Sequence, residues 1–197
     1  MELYPHPLDI NEWNAKRDLY HTGKIIEFSD QNDIVSITAD ISAAYNNRFS
    51  GEGTLSSRTE RVKRYLRSVI YDRINDLFLV YDSINKTDPT FISRWLIHFQ
   101  EQPLLPVTGQ FLISPLAQSK SRHSSGILDG RVLLPNQAQV TAIGGPGKEF
   151  LVDGKNYDNN GDIYKAIKRS GKKAEAGNWR IEISPKKTSQ TDHFLIA

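Results

Sequence analysis

The stretch GGPGKEF, residues 144–150, carries the most conspicuous chemistry in this sequence. A phosphate-binding loop of the form G-x-x-x-x-G-K-[ST] wraps phosphates in backbone N–H groups and places a hydroxyl on magnesium. Gly147 and Lys148 supply the G-K pair, but Ala142 stands at the outer glycine position and Glu149 at the hydroxyl position. A carboxylate there repels the anion. Such a loop should also open a helix, whose N-terminus holds the phosphate. Instead Phe150 and Val152 alternate against Glu149 and Asp153, which reads as a strand followed by a turn. The stretch is expected to be a tight turn between strands, its glycines serving chain reversal at positive φ.

Other candidate chemistry is sparse. Of the five histidines, His6, His21, His98, His123 and His193, no two have metal-ligand spacing on one element. His98 sits in the apolar run WLIHF near Trp95, and a half-buried histidine bonded to backbone or water is expected there. No G-x-S-x-G, H-E-x-x-H or calcium-loop pattern occurs, and the sequence places no two carboxylates across a cleft. The densest basic run is Arg58, Arg61, Lys63, Arg64 and Arg67; Lys165, Lys168, Arg169, Lys172 and Lys173 form a second. Most such runs are solvated faces. Arginine nonetheless suits a sulfated or uronic-acid polysaccharide, because its planar guanidinium pairs bidentately with sulfate or carboxylate. Arg58, Arg61, Arg64 and Lys148 are the candidate substrate contacts.

Composition bounds the alternatives. At 197 residues a single domain, 1–197, is expected, with 1–20 an irregular N-terminal arm. Charged residues make up 24% and nearly balance at net +2, which gives no whole-chain field for nucleic acid or acidic lipid. Basic residues without interleaved aromatics argue against nucleic acid as well. Cysteine is absent, excluding disulfides, thiolate metal sites and a cysteine nucleophile. No apolar run approaches the roughly 20 residues of a membrane span, and the start lacks a signal-peptide pattern, so no membrane partner is expected.

The elements that must position these residues are mostly strands. GKIIEF and DIVSITA flank a turn at SDQND (29–33); DLFLVYDSI (76–84) and FISRWLIHF (91–99) flank NKTDP (85–89). GRVLLP and AQVTAIGG lie either side of Asn136-Gln137, and NWRIEISP and DHFLIA follow. Residues 60–71, ERVKRYLRSVIY, fit a helix face through Val62, Tyr65, Leu66 and Val69. They also fit a strand face through Tyr65, Arg67, Val69 and Tyr71, and the β surroundings favour the strand. Residues 46–60 and 154–177 read as long polar surface loops. Short strands separated by turn residues predict an all-β, antiparallel two-layer sandwich, with the Trp95–Phe99 strand near its middle.

Six segments in series then resemble a known family. DISAAY (40–45), FLVYDSI (78–84), SRWLIHFQEQP (93–103), LDGRVLLP (128–135), GGPGKEFLVDGKNY (144–157) and NWRIEISP (178–185) occur in the order of the latter part of the β-sandwich module of heparinase II/III-like polysaccharide lyases. The resemblance covers about His21 to the C-terminus. It implies a supersandwich-like fold, a periplasmic or secreted bacterial setting, and elimination next to a uronic acid in an anionic polysaccharide such as a glycosaminoglycan. There a base removes the proton α to a neutralised carboxylate. In that family the catalytic tyrosine comes from an N-terminal α/α toroid, and a histidine and zinc ligands come from His-x-His-x-Asp and Ala-His-Asn segments. Neither segment exists here. No catalytic residue and no zinc ligand carries over, and His21 and His98 stay without a role.

Three readings follow. The chain is the sandwich portion of such a lyase, catalytically silent without its toroid domain or partner chain and acting in substrate binding or support. Alternatively it is a stand-alone carbohydrate-binding module, with Trp95, Trp179 or Tyr157 stacking sugars beside arginines. The third is a purely structural module. Aromatics exposed beside arginine favour the second reading, and aromatics buried in the core favour the third.

Overall fold

The computed structural model describes residues 9–17, 23–46, 60–99, 101–114, 126–145, 147–148, 150–157 and 179–197. Among them the fold is all-β, built of open antiparallel sheets, as the alternation predicts. Two short helices accompany the strands: α1 (Ile10–Ala15) and a single turn, α2 (Ala43–Asn46). The described chain gathers into two compact units. One takes Arg94–Val132 and Gln137–Lys186; the other takes the chain up to Ser93 with Leu133–Asn136 and Lys187–Ala197.

The unit that includes the C-terminus holds five adjacent strands, in the order β1 (Lys24–Gln31), β2 (Ile34–Asp40), β3 (Val62–Asp72), β4 (Leu77–Lys86) and β12 (Thr191–Ile196). All four pairings are antiparallel. The β1–β2 turn is shorter than SDQND suggests. Only Asn32 and Asp33 lie outside the ladder, Asn32 taking φ 54 as the first residue of the two-residue loop. The ambiguous segment 60–71 is a strand, and it puts Tyr65, Arg67, Val69 and Tyr71 on one face. The register across the sheet sets Phe28, Ile37, Val69, Val80 and Ile196 in one unbroken apolar row. The row is buried only at its β12 end: Ile196 is 5% exposed and Phe28 63%. Val62, Tyr65, Ile84 and Phe194 form the core beside Ile196.

The other unit centres on β11 (Trp179–Ser184), flanked by β5 (Trp95–Phe99) and β8 (Gln139–Gly144). The Trp95–Phe99 strand, expected near the middle of the sandwich, lies among the described residues at an edge of this sheet and not at its centre. β11 takes that place because Ile181 and Ile183 are the most completely buried side chains of the three strands, both at 0%. The predicted strand 91–99 also begins only at Trp95. Asp88 accepts from Thr90 N, and Phe91 N donates to the Asp88 carbonyl, which holds the start in a turn. An unanticipated strand, β6 (Gln110–Ile113), pairs with β7 (Leu128–Leu134). The glycine-rich stretch is a turn, as expected: Gly145 and Gly147 take φ 82 and 80, and Lys148 N donates to Gly145 O at 2.9 Å. The strand after it is brief, β9 (Leu151–Val152) paired with β10 (Lys155–Asn156), so the first residues of the predicted loop 154–177 are a hairpin.

Within the expected N-terminal arm, residues 9–17 contain helix α1. Asp9 caps it, its Oδ1 accepting from Glu12 N at 2.8 Å, and Lys16 pairs with Glu12 at 2.7 Å one turn on. An Asp three residues before a Glu was the signal for it.

Candidate binding site on the β3–β4 face

Arg67 on β3 and Asp82 on β4 are register partners, so their side chains stand on the same face of the sheet. Both guanidinium nitrogens nearest the carboxylate bond to it: Nε to Oδ1 at 2.7 Å and Nη2 to Oδ2 at 2.6 Å. Tyr65, two residues earlier on that face, donates its hydroxyl to Asp82 Oδ2 at 2.7 Å and accepts from Arg67 Nη2 at 3.1 Å. Asp82 is wholly buried and Tyr65 nearly so, while the Arg67 side chain keeps 37% of its surface exposed. A carboxylate this deep is stable only with its lone pairs spoken for, and the arginine and the phenol do that.

The strap over this cluster is local. Asp40 Oδ1 accepts from Ser42 N at 3.0 Å and Ser42 Oγ at 2.5 Å, and Ser42 Oγ accepts from Tyr65 N at 2.8 Å. Asn46, ending α2, takes Arg61 N and Val62 N on its Oδ1 at 3.1 and 3.2 Å. The turn is thereby pinned to the start of β3. It sets the Tyr45 ring, 39% exposed, 5.1 Å from the Tyr65 ring.

Electrostatics fix the protonation states. Burial, with the Asp82 carboxylate second, pushes the Tyr65 phenol well above its ordinary range. The hydrogen bonds it donates to Asp82 hold Arg67 protonated even more firmly than usual. Tyr65 is therefore a donor and not a base. Arg67 spends Nε and Nη2 internally, and its Nη1 has no partner among the described residues. The arrangement can hold an anion beside an aromatic rim, at a guanidinium whose orientation is fixed in advance.

The predicted contacts fall differently. Arg61 lies over the Phe91 ring at 4.8 Å, and Arg64 is exposed on β3 opposite Asn85. Lys148 is exposed in the glycine turn of the other unit. Arg58, His6, His21, His123, residues 47–59 and the second basic run lie outside the described residues. His98 is exposed, not half-buried, because β5 alternates: Trp95, Ile97 and Phe99 turn one way and Leu96 and His98 the other. Trp95 is 6% exposed and sits in the core, its buried Nε1 without an acceptor among the described residues. Trp179 and Tyr157 are half-buried, and Gly145 presses on the Trp179 ring so closely that a Cβ would sit 2.8 Å from Cζ2. The residues that sequence reasoning passed over are Asp82 and Tyr45. An acid in the middle of the apolar strand FLVYDSI was the available signal for the first.

Among the described residues no three His, Asp or Glu side chains gather to hold a metal ion. No described helix is long and apolar enough to cross a membrane. No family model matches the chain. No curated protein matches it either. Among solved structures it is distantly similar to heparan sulfate lyase HepC from Pedobacter heparinus, at 12% identity and a TM-score of 0.49. The match covers 88% of this chain and 21% of that one, so the chain spans about a fifth of that protein's length.

Proposed function

We propose that this chain is the β-sandwich portion of a heparinase II/III-like polysaccharide lyase, catalytically silent alone, which binds anionic polysaccharide and supports a catalytic toroid domain or partner chain. The observation that carries the reading is the Arg67–Asp82–Tyr65 cluster. It offers a preset guanidinium edge on an antiparallel sheet, beside the exposed ring of Tyr45 on α2, the chemistry a uronate or sulfate needs. The six-segment series in the sequence supports it. Arg58, Arg61 and Arg64, and separately Lys148 on the other unit, are proposed as further contacts outside the Arg67 cluster; no catalytic residue or cofactor is assigned, and nucleic acid and membrane are not proposed as partners.

Affinity electrophoresis in gels containing heparin or alginate tests the binding. At low salt the chain is retarded, and rising salt releases it, since exposed charges are screened within roughly 10 Å at 0.1 M. Arg67→Ala and a quadruple charge reversal at Arg58, Arg61, Arg64 and Lys148 each reduce retardation. The purified chain alone generates no unsaturated-uronate absorbance from either polymer. A purely structural module is the second reading, favoured by the burial of Trp95 in the core. Unaltered mobility of the wild type and both variants at low salt leaves that reading standing.

A further inference from the structure

The free edge of this run of strands is β1, which pairs with β2 on one side and with no described strand on the other. Edges of this kind display unpaired N–H and C=O groups and accept further strands. This one is unusually apolar for an edge: Ile25, Ile26 and Phe28 are 63%, 47% and 63% exposed. The two-residue loop at Asn32-Asp33 makes Gln31 and Ile34 the hydrogen-bonded closing pair. Bonded and non-bonded pairs alternate from there, so Phe28 and Asp30 turn their N–H and C=O away from β2 and toward the open side.

We infer that β1 is a homodimerisation edge, pairing antiparallel with β1 of a second copy about a two-fold axis at Phe28. A perpendicular two-fold keeps each side chain on its own face, so the residue at the axis must tolerate itself. Phe28 does, because aromatic cross-strand pairs stabilise. In this register Glu27 stands opposite the second copy's Ser29 and Ile26 opposite its Asp30, so no like charges face one another. A register centred on Glu27 would oppose two carboxylates. The apolar row Phe28, Ile37, Val69, Val80 and Ile196 then runs without a break into its copy, and the sheets merge. The backbone irregularity between Ile25 and Glu27, repeated by the two-fold in the second copy, ends the ladder at both ends, which limits it to a short closed pair and blocks indefinite edge-to-edge growth. An interface confined to one strand is small beside the roughly 800 Å² per partner of a standard interface, so the dimer is weak and forms at micromolar concentrations. This inference does not depend on polysaccharide binding.

Sedimentation velocity across the micromolar range reads it directly. The weight-average mass rises toward twice the monomer value with concentration, and Phe28→Lys, at a position exposed enough to spare the fold, holds the protein monomeric. Because the chain has no cysteine, Phe28→Cys adds a second measurement. A hydrogen-bonded pair at the axis brings its Cα atoms to about 5.5 Å, within disulfide range, so mild oxidation gives a covalent dimer. Leu104→Cys, also exposed but in the other compact unit, gives far less. A concentration-independent monomer, open-ended polymers, or no excess of covalent dimer for Phe28→Cys over Leu104→Cys would each overturn the proposal.

Discussion

Lys86 at the end of β4 and Asp192 near the start of β12 form an ion pair almost wholly out of solvent, Nζ to Oδ2 2.9 Å, with side chains 2% and 5% exposed. The contact is electrostatic rather than well aimed, since that oxygen makes no directional hydrogen bond. The remaining polar atoms are served nearby: Lys86 Nζ donates to Phe91 O at 2.7 Å, and Ser189 Oγ donates to Asp192 Oδ1 at 2.7 Å. Removing one partner strands a buried charge. Asp192→Leu or Lys86→Met alone should therefore cost about 3–5 kcal/mol, and the double variant should recover much of the loss. The midpoint of urea denaturation for the three variants is the measurement.

Tyr65 makes stability depend on alkaline pH. Its folded-state pKa lies above the unfolded value of about 10, so its contribution is complete below that value and is lost as pH rises beyond it. Tyr65→Phe should flatten the alkaline limb of the stability profile and, by removing one donor to buried Asp82, cost about 1–3 kcal/mol at neutral pH. Urea titrations at a series of pH values, wild type against variant, separate the two effects. A limb equally steep in both would assign it to other groups.

Arg67→Lys keeps the charge and discards the fork. An ammonium cannot bond both Asp82 oxygens and Tyr65 at once, so stability should fall by about 2 kcal/mol. That is below the full cost of breaking a buried pair, because the Arg67 side chain is partly open to solvent. Polysaccharide retardation should drop nearly as far in Arg67→Lys as in Arg67→Ala. Retardation kept by lysine would mean that charge alone, and not its orientation, is what binds.

Gly130 is required by a neighbour across the strand pair. It is the register partner of Phe111, and a Cβ there would lie 2.1 Å from Phe111 Cζ; that ring is 1% exposed and has nowhere to swing. Gly130→Ala should destabilise by about 1–3 kcal/mol, with Phe111→Leu giving partial rescue in the double variant. Thermal melts of the single and double variants show whether the two substitutions interact.

Period-two alternation made most strands legible, because a half-buried sheet writes its faces into the chain: Tyr65, Arg67, Val69 and Tyr71 share a face as that pattern implied. It failed where turn chemistry or length intervened. Phe91 to Arg94 look like strand, yet Asp88 and the Lys86 ammonium hold Phe91 in a turn and the ladder begins only at Trp95. Gln110–Ile113 is too short, and too close to two prolines, to stand out. The candidate site was half visible. Arg67 belongs to the dense basic run, but its partner lies fifteen positions away, and only the register of β3 on β4 joins them. Arg64 shares that run but stands on the opposite face of β3, and Arg61, just before the strand, lies over the Phe91 ring.

The pairing of Ile84 with Asp192 also bears on how the protein is made. Synthesis delivers β1 to β4 early as two consecutive hairpins, able to pair as they emerge, whereas β12 arrives only after the strands of the other unit. Until then β4 is itself a bare edge, with Asp82 and Lys86 still awaiting the cover of Phe194 and Asp192. On a ribosome adding about 5–20 residues per second, that interval lasts several seconds. A nascent chain stalled before Thr191 should accordingly recruit holding chaperones that the finished chain does not.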